Sequence, residues 1–527
     1  MKENEIADSV VKLSAWLESW KTKNGAYNGY VVHRLNLKRM FLIHDTPWSQ
    51  APIIDSFLNL YQRTNVELWL EKAIEAGNLQ MSRLASTYNY MYSGYEDDRF
   101  CSLVHNALAN CSLLDLVQTL REEGSSRYAL IVKKYIDTVR INTDRFLISK
   151  LWVEEKSAFR VAEKDYYSPK QDRFIANMNS VAVENLIKLA SFTGEQKYLR
   201  LAEQVGEFLL SLQCRSDNSL VDGSIAYQDG EPMDFVSIYT ALALRGLDDL
   251  FYLTKDKKYS EAVIRAARHL LNFRDPRFSL FYHGYSKSSL KKYPLFVAGA
   301  GIPLKALDDA SRLTRQSFDV TETVDTILSM QLANGGFPSF LGYNSPDNSR
   351  ANGNHSRVWE DIVPTVGWNA HLFEYLTRFV PKDFEMPREN STRTTLDSRR
   401  NYFYMDSHKT SLIFGWNPFQ SFTFYIVPNK RIPLGFAILD IRALVKLVLE
   451  SAKDARVRFS HSKTTEQLVP FSGRALDTDT AGTAQGLKLV TNATFSDDKS
   501  DENLWLIADG AGSDVRIRVN YRPKGVA

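Results

Sequence analysis

The chain has 527 residues, of which 44% are hydrophobic and 24% charged, and its formal net charge is +3. This composition excludes a wholly disordered chain, and the near balance of charges argues against a dedicated nucleic-acid-binding protein. No apolar run approaches the roughly 18 residues of a membrane span, and the first residues lack the order of a secretory signal. The three cysteines form no CxxC motif. We therefore expect a cytoplasmic protein with no membrane span and no nucleic-acid partner.

Taken along the chain, the predicted elements repeat. Each unit has an apolar helix end, a threonine, a short polar turn and an aromatic residue near the start of a second helix. Clear examples run from Thr64 to Trp69, from Thr193 to Tyr198 and from Thr254 to Tyr259. With weaker examples included, the marker positions are 64, 124, 193, 254, 314 and 377, which are 60 to 69 residues apart. A regular period of this length indicates a repeat architecture.

Each repeat reads as a helical hairpin with one inner and one outer helix. The segments 180–191 and 237–253 are apolar almost all round, as buried helices are, whereas 196–212 and 258–272 are amphipathic. Six such hairpins within residues 1–380 predict a mainly α domain, an (α/α)6 toroid of twelve helices. An open solenoid is the alternative, but it would expose the apolar inner helices. Inner-to-outer turns are short and outer-to-inner loops are long, so the long loops should share one end of the ring.

After residue 380 the pattern changes. Residues 381–400 are rich in proline and charge and read as a linker. Residues 401–527 contain short β-rich runs, one of which, residues 515–519, alternates strictly between apolar and basic side chains. We predict a C-terminal β-sandwich-like domain. The predicted strands are 421–427, 455–460, 487–494, 504–507 and 515–521, and the segment 437–450 is ambiguous between helix and strand.

Residues able to do chemistry concentrate in the long loops and at the starts of the inner helices. Carboxylates whose pKa values are split by their environments can divide acid and base roles. The predicted catalytic residues are Asp45, Asp97, Asp98, His105, Tyr167, Asp234, Glu360 and Asp361. Aromatic faces stack on sugar rings, and polar groups satisfy sugar hydroxyls. The predicted substrate-binding residues are His44, Trp48, Arg99, Asn106, Arg173, Asn177, Tyr227, Trp359, Trp368 and Asn369.

The same loops fit a second chemistry, eliminative cleavage at a uronic acid. Asn106, Arg173 and His105 could neutralise the substrate carboxylate or abstract a proton, and Tyr166 or Tyr167 could protonate the leaving oxygen. Structural roles compete with both interpretations, because an acidic residue just before a helix often caps it. No metal spacing is found among the nine histidines, and we expect no metal and no cofactor.

Six helical hairpins followed by a β-sandwich resemble the (α/α)6-toroid carbohydrate-active enzymes, which include six-hairpin glycosidases and polysaccharide lyases. The resemblance implies an enzyme that cleaves a glycosidic bond of an oligo- or polysaccharide in the toroid cavity. Residues 331–338, QLANGGFP, also resemble the QxxxGGF/W repeat of squalene-cyclase and prenyltransferase toroids. A terpene-cyclase-like enzyme is therefore a second hypothesis, although the expected acidic motif is missing. A non-catalytic glycan-binding or assembly protein is a third.

Overall fold

The computed structural model describes residues 3–18, 21, 25, 27, 47–85, 90–91, 102–163, 172–231, 233–332, 335–342 and 364–385, and the backbone of eight strands between residues 402 and 520. Its contacts divide the chain into two compact units. One comprises Met1–Val31, Leu42–Ser329 and Thr365–Met386, and the other comprises Val32–Phe41, Met330–Pro364 and Pro387–Ala527. The domain boundaries expected from the sequence, 1–380, 381–400 and 401–527, stay predictions.

The first unit is helical, and its described helices alternate between an inner and an outer layer. The inner helices are α2 (Pro47–Thr64), α4 (Leu103–Glu122), α6 (Ala176–Thr193), α8 (Ser237–Thr254), α10 (Gly301–Thr314) and α12 (Val366–Thr377). The outer helices are α1 (Glu3–Glu18), α3 (Glu67–Ser82), α5 (Ala129–Asn142), α7 (Gln196–Ser211), α9 (Lys257–Asn272) and α11 (Thr321–Ser329). A π-helical segment, Thr143–Leu151, continues α5, and a 3₁₀ turn, Ala298–Ala300, leads into α10.

The threonine that marks the repeat ends an inner helix. Thr193 Oγ1 donates to Leu189 O at 2.9 Å and accepts from Glu195 N at 3.3 Å, so one hydroxyl satisfies two backbone groups at the turn. The next residue, Gly194, has φ of 74°, the left-handed conformation that commonly terminates a helix. The hydroxyls of Thr64, Thr254, Thr314 and Thr377 also donate to the carbonyl four residues earlier. The repeated threonine therefore has a capping role.

Glycines in two outer helices let the next hairpin approach closely. A Cβ on Gly206 of α7 would lie 2.5 Å from Leu250 Cδ1 and 2.9 Å from the Tyr259 hydroxyl. Tyr259 is the aromatic residue of the following repeat, and it is buried. Gly77 of α3 stands in the same relation to Leu116 and Tyr135. In both places a tyrosine of the following hairpin packs against the preceding outer helix, which ties neighbouring hairpins together.

The ring of hairpins closes. Each inner helix packs against the next in the order α2, α4, α6, α8, α10 and α12, and α12 packs against α2. At this seam Asn59 Nδ2 donates to Glu374 O at 2.9 Å, and Arg63 Nη2 donates to Val380 O at 2.7 Å. The first helix of the chain, α1, packs outside α12 and completes the sixth hairpin. The predicted toroid is confirmed, and the open solenoid is excluded.

The long connections that the structure describes lie on the side where inner helices begin. The two-residue turn between α8 and α9 is typical of the other end, whereas residues 212–236 join α7 to α8. Short strands lie in the long connections of this unit. They are β1 (Leu84–Ala85), β2 (Tyr90–Met91), β3 (Trp152–Val153), β4 (Ala158–Phe159), β5 (Phe235–Val236), β6 (Gly284–Ser286), β7 (Ser289–Lys291) and β8 (Leu295–Phe296).

The second unit contains β9 (Phe340–Leu341) and then antiparallel strands. They are β10 (Tyr402–Asp406), β11 (Thr410–Asn417), β12 (Ser421–Pro428), β13 (Arg456–His461), β14 (Leu468–Pro470), β15 (Val490–Asp497), β16 (Asn503–Gly510) and β17 (Ser513–Asn520). One sheet has the order β10-β11-β12 and another the order β14-β13-β17-β16-β15. The predicted runs fall on β12, β13, β15, β16 and β17, while 437–450 lies outside the described residues. Among the helices that the structure describes, none has the length and apolarity to cross a bilayer.

Candidate active site

Half of the predicted site residues, including most of the acids, lie outside the described residues, as does Tyr166, and they stay predictions. They are Asp45, Asp97, Asp98, Tyr167, Glu360, Asp361, His44, Arg99 and Trp359. The described ones divide into those that meet inside the ring and those that serve the loops.

Trp48, His105 and Trp368 come together at the starts of three inner helices. The Trp48 ring lies 5.6 Å from Trp368 in an edge-on arrangement and 6.1 Å from His105. A fourth ring, His371 of α12, lies 4.4 Å from Trp48 and was not predicted. All four rings are buried. The structure therefore builds an aromatic cluster where α2, α4 and α12 begin, on the side of the long loops.

Two of the predicted amides make hydrogen bonds at the starts of their helices, and their predicted role in substrate binding stays a prediction. Asn106 Nδ2 donates to Ser102 O at 2.9 Å, and its Oδ1 accepts from Asn142 of the outer helix α5 at 3.1 Å. Asn369 Nδ2 donates to Thr365 O at 3.0 Å, which is the same bond to the residue before the helix. Asn179 repeats this bond and also pairs with both backbone groups of Phe159. Amides at this position hold the start of an inner helix to its surroundings.

Three more predicted residues lie in the loops before α6 and α8. Asp234 Oδ1 accepts from the backbone nitrogen of Lys287, which fixes the β6–β7 hairpin. Tyr227 stacks on Tyr239 at 5.3 Å and stays partly exposed. The carbonyl of Arg173 accepts from Val161 N at 3.0 Å. None of these contacts brings the three residues to the aromatic cluster.

A set of charged side chains on the inner helices was not predicted. Counted back from the repeat marker, the ninth preceding residue is charged in five of the six repeats. These residues are Asp55, Asp115, Glu184, Arg245 and Lys305, preceding markers 64, 124, 193, 254 and 314. In the sixth repeat the position is Trp368, and Glu374 follows on the same helix. The inner helices thus carry a charge at one level of the ring.

These side chains pair with one another between neighbouring helices. Arg245 of α8 donates to both carboxylate oxygens of Glu184 of α6, at 2.7 and 2.9 Å. Lys188, one turn after Glu184, lies 2.7 Å from that carboxylate and 2.6 Å from Asp115 of α4. Lys305 of α10 lies 3.9 Å from Glu374 of α12. A continuous set of ion pairs therefore links α4, α6 and α8, and another links α10 and α12.

The charges converge on the axis of the ring. Asp55 and Arg245 interact electrostatically although α2 and α8 stand on opposite sides, so both side chains must extend inwards. Lys188 and Lys305 each keep 24% of their side-chain surface accessible, although burial strongly opposes their charges. The interior of the toroid is therefore polar.

Burial and neighbouring charges shift the pKa values of three groups near the aromatic cluster. Burial, with help from Asp115 and Glu374, raises the pKa of the Asp55 carboxyl well above its usual range. Burial lowers the pKa of His371, which keeps its ring neutral. Burial opposes the charge of Glu374, but His371 and Lys305 outweigh it and lower its pKa. The site thus combines a carboxyl of raised pKa, an imidazole of lowered pKa and a carboxyl of lowered pKa.

Asp55 and His371 each have a buried polar atom with no hydrogen-bond partner among the described residues. His371 Nδ1 lies 3.6 Å from Glu374 Oε2, which favours a proton on Nδ1 and leaves Nε2 as the basic nitrogen. Within the described part of the chain, no hydrogen-bond partner is found for His371 Nε2, Asp55 Oδ1 or Trp48 Nε1, and all three are buried. Buried polar atoms normally have partners, so these three mark a place for water or a ligand.

The depth of each site residue inside the ring follows from its position along its helix. Asp55 comes seven residues after Trp48, so both lie on nearly the same face of α2 and about 10 Å apart along the axis. Asn177 precedes Glu184 by the same interval on α6, and among the described residues its buried Oδ1 also has no hydrogen-bond partner. The aromatic cluster therefore stands at the mouth of the interior. Beneath it lies the charged level, which is formed by Asp55, Asp115, Glu184, Lys188, Arg245, Lys305 and Glu374.

Comparison with known proteins gives similarity at the level of structure. No family model and no curated protein matches the chain. A D-mannose isomerase structure has a TM-score of 0.49 and 14% identity, with 72% of this chain and 97% of that chain covered. The cellobiose 2-epimerase of Bacillus thermoamylovorans has the same score and identity, covering 71% and 98%. A GH76 α-mannanase of Bacteroides thetaiotaomicron has a score of 0.49 and 12% identity, covering 73% and 96%.

At such low identity the similarity extends to the fold alone. The closed ring of this chain is established by its own helix contacts.

Proposed function

We propose that the protein is a carbohydrate-active enzyme that cleaves a glycosidic bond inside the toroid. One observation carries the proposal. Asp55, a carboxyl of raised pKa with a buried Oδ1, lies beneath an aromatic cluster and shares the ring interior with His371, an imidazole of lowered pKa that is oriented by the Glu374 carboxylate. General acid–base catalysis needs one group that gives a proton and another that takes one near neutral pH.

The residues divide the steps as follows. Asp55 donates its proton to the glycosidic oxygen as the bond from that oxygen to the anomeric carbon breaks. His371 Nε2 removes a proton from the water that attacks this carbon, and Glu374 stabilises the imidazolium that forms. Trp48 and Trp368 offer aromatic surface for the sugar ring, and the free indole Nε1 of Trp48 can donate to a hydroxyl.

Hydrolysis and elimination at a uronic acid both belong to this proposal. In elimination, His371 would instead remove the proton next to the sugar carboxylate, and a cation would have to neutralise that group. The predicted acids Asp45, Asp98 and Asp361, which lie outside the described residues, remain candidates for the second carboxylate of a hydrolase. We also propose that the C-terminal strands form a β-sandwich-like domain. The free thiols of Cys111 and Cys214 suit the proposed cytoplasmic location.

Incubation with glycans tests the proposal. Purified protein is mixed with cello-oligosaccharides, manno-oligosaccharides and oligo-uronates, and reducing ends and the ultraviolet absorbance of unsaturated uronates are followed. New reducing ends without absorbance indicate hydrolysis, and both together indicate elimination. Asp55→Asn should lower the rate by about 10²–10⁴-fold, whereas Asp325→Asn on the exposed face of α11 should leave it unchanged. Equal rates for the two variants would contradict the role of Asp55.

A second candidate is isomerisation or epimerisation of a sugar, and the His371–Glu374 pair favours it. A histidine with a free Nε2 can remove a proton from a carbon next to a sugar carbonyl, and Asp55 can protonate the oxygen. No glycosidic bond breaks in that case. Incorporation of solvent deuterium into the sugar, without new reducing ends, would identify this reaction.

A terpene cyclase and a non-catalytic binding protein fit the described residues less well. A terpene-cyclase-like cavity would be mainly apolar with one buried acid, whereas this interior contains Glu184, Lys188, Arg245 and Lys305. A non-catalytic binding protein would not need two carboxylates close together, yet Glu374 lies near enough to raise the pKa of Asp55. Both features favour an enzyme that handles polar substrates.

A further inference from the structure

The charged level spans the ring, because every inner helix reaches it. Glu184 binds Arg245 on one neighbouring helix, and Lys188, on the same helix as Glu184, binds Asp115 on the other. On the far side, Lys305 lies 2.9 Å from Asp309 on its own helix and 3.9 Å from Glu374 on α12. Asp55 completes the level from α2 and interacts with both Lys188 and Arg245.

This arrangement is a poor passage for a sugar chain. Arg245 is held by two short bonds and keeps only 12% of its side-chain surface accessible, while its partner Glu184 keeps 5%. A chain that crossed this level would have to separate paired charges inside the ring, which leaves them desolvated and unpaired. A polymer could pass this level only if the pairs opened.

We infer that the interior is a pocket closed at its base by these ion pairs, so the enzyme acts at chain ends and not within chains. The inference rests on the proposed function and adds its mode of action. A chain end enters from the side where the inner helices begin and stops at the level of Asp55, and the buried rings of Trp48 and Trp368 must move apart to admit it. The depth from Trp48 to Asp55, about 10 Å along the helix, accommodates only a few sugar units.

The product pattern tests this mode directly. A long chain of whichever glycan the protein cleaves is digested, and the products are separated by size over time. Chain-end action predicts one small product of constant size, while most of the remaining polymer keeps its original length. An early fall in mean chain length, with a ladder of intermediate sizes, would overturn the inference while leaving the cleavage function intact.

A binding measurement decides the inference separately from cleavage. Asp55→Asn is titrated with cello-, manno- and uronate oligosaccharides of increasing length, and the fluorescence of its tryptophans is followed. A closed pocket predicts that affinity rises over the first two or three units and then levels off. A steady rise with each further unit would indicate an open cleft and contradict the closed base. Binding of none of the three series at any length would overturn both the inference and the proposed function.

Discussion

The ion pair between Glu184 and Arg245 gives the charged level its sharpest stability test. Removing one partner of a buried pair typically costs about 3–5 kcal/mol, because the other charge stays buried without compensation. Here Arg245 makes two hydrogen bonds to Glu184, at 2.7 and 2.9 Å. Lys188 would remain 2.7 Å from the abandoned carboxylate and offset part of the loss. We therefore expect Arg245→Met to cost about 3 kcal/mol, the low end of the range.

A double variant separates the pair from its surroundings. Glu184→Leu combined with Arg245→Met replaces the ion pair by apolar side chains, and such replacements are often nearly neutral. We expect the double variant to lie within about 1–2 kcal/mol of the wild type and to be more stable than Arg245→Met alone. Arg312→Met is the matched control, because Arg312 keeps 61% of its side chain accessible and its ion pairs should contribute less than about 1 kcal/mol.

The assay is urea unfolding followed by the helical circular-dichroism signal, with free energies compared at equal slope. If Arg245→Met costs no more than Arg312→Met, the pair is not buried as described. Glu184→Leu is also measured alone. If the double variant loses as much free energy of unfolding as Glu184→Leu and Arg245→Met added together, the two side chains do not interact. Either result would refute the paired charges that are proposed to close the base of the interior.

His371, Asp249 and Thr193 each allow a separate test. Turnover should rise with pH as His371, whose pKa burial holds below its usual value, loses its proton, and should fall as Asp55 ionises; a flat profile would exclude this acid–base pair. Burial and Glu184 raise the pKa of Asp249 to about 7. Between about pH 4 and 7 the carboxyl is therefore protonated in the folded protein but ionised in the unfolded chain. The stability of the wild type relative to Asp249→Asn should therefore fall across that interval, by at most about 4 kcal/mol, in urea unfolding at each pH, and a constant difference would contradict the shift. Thr193→Ala should cost about 1 kcal/mol in the same assay, since it removes the hydroxyl that caps α6, and no loss would count against the capping role.

The helical architecture was predictable because it repeats. A threonine that satisfies backbone groups at a helix end is needed at every turn of this kind, so Thr64, Thr193 and Thr254 recur at a readable spacing. Ring closure was expected from the apolar character of the inner helices, and the contact of α12 with α2 confirms it. The sequence did not indicate that α1 supplies the last outer helix, because its partner lies more than three hundred residues away.

The charged level was missed although the sequence contains its signal. A single charge in an apolar helix, such as Glu184 or Arg245, has little weight when each helix is read alone. Aligning the repeats on the marker threonines reveals a charge at the ninth preceding position in repeat after repeat. The description of these helices as apolar almost all round was therefore incomplete, because their axial faces are polar.

Loop residues were harder to assign, since a polar residue near a helix start has two possible roles. Asn106 and Asn369 bind the backbone before their helices, and their amide type gives no hint of this. Trp48 and Trp368 lie together because both stand at the start of an inner helix and therefore at the same end of the ring. His371 lies one turn further in than Trp368, beyond the loops in which candidate residues were sought.

A crystal structure of Asp55→Asn, soaked with the oligosaccharide that binds it best, would test the proposed acid–base site more directly than any rate. We expect a sugar ring against Trp48 or Trp368, with a glycosidic oxygen about 3 Å from the side chain at position 55 and a sugar or water oxygen at a similar distance from His371 Nε2. A sugar bound at the end of the ring where the short turns lie, or on the outer helices, would contradict this site.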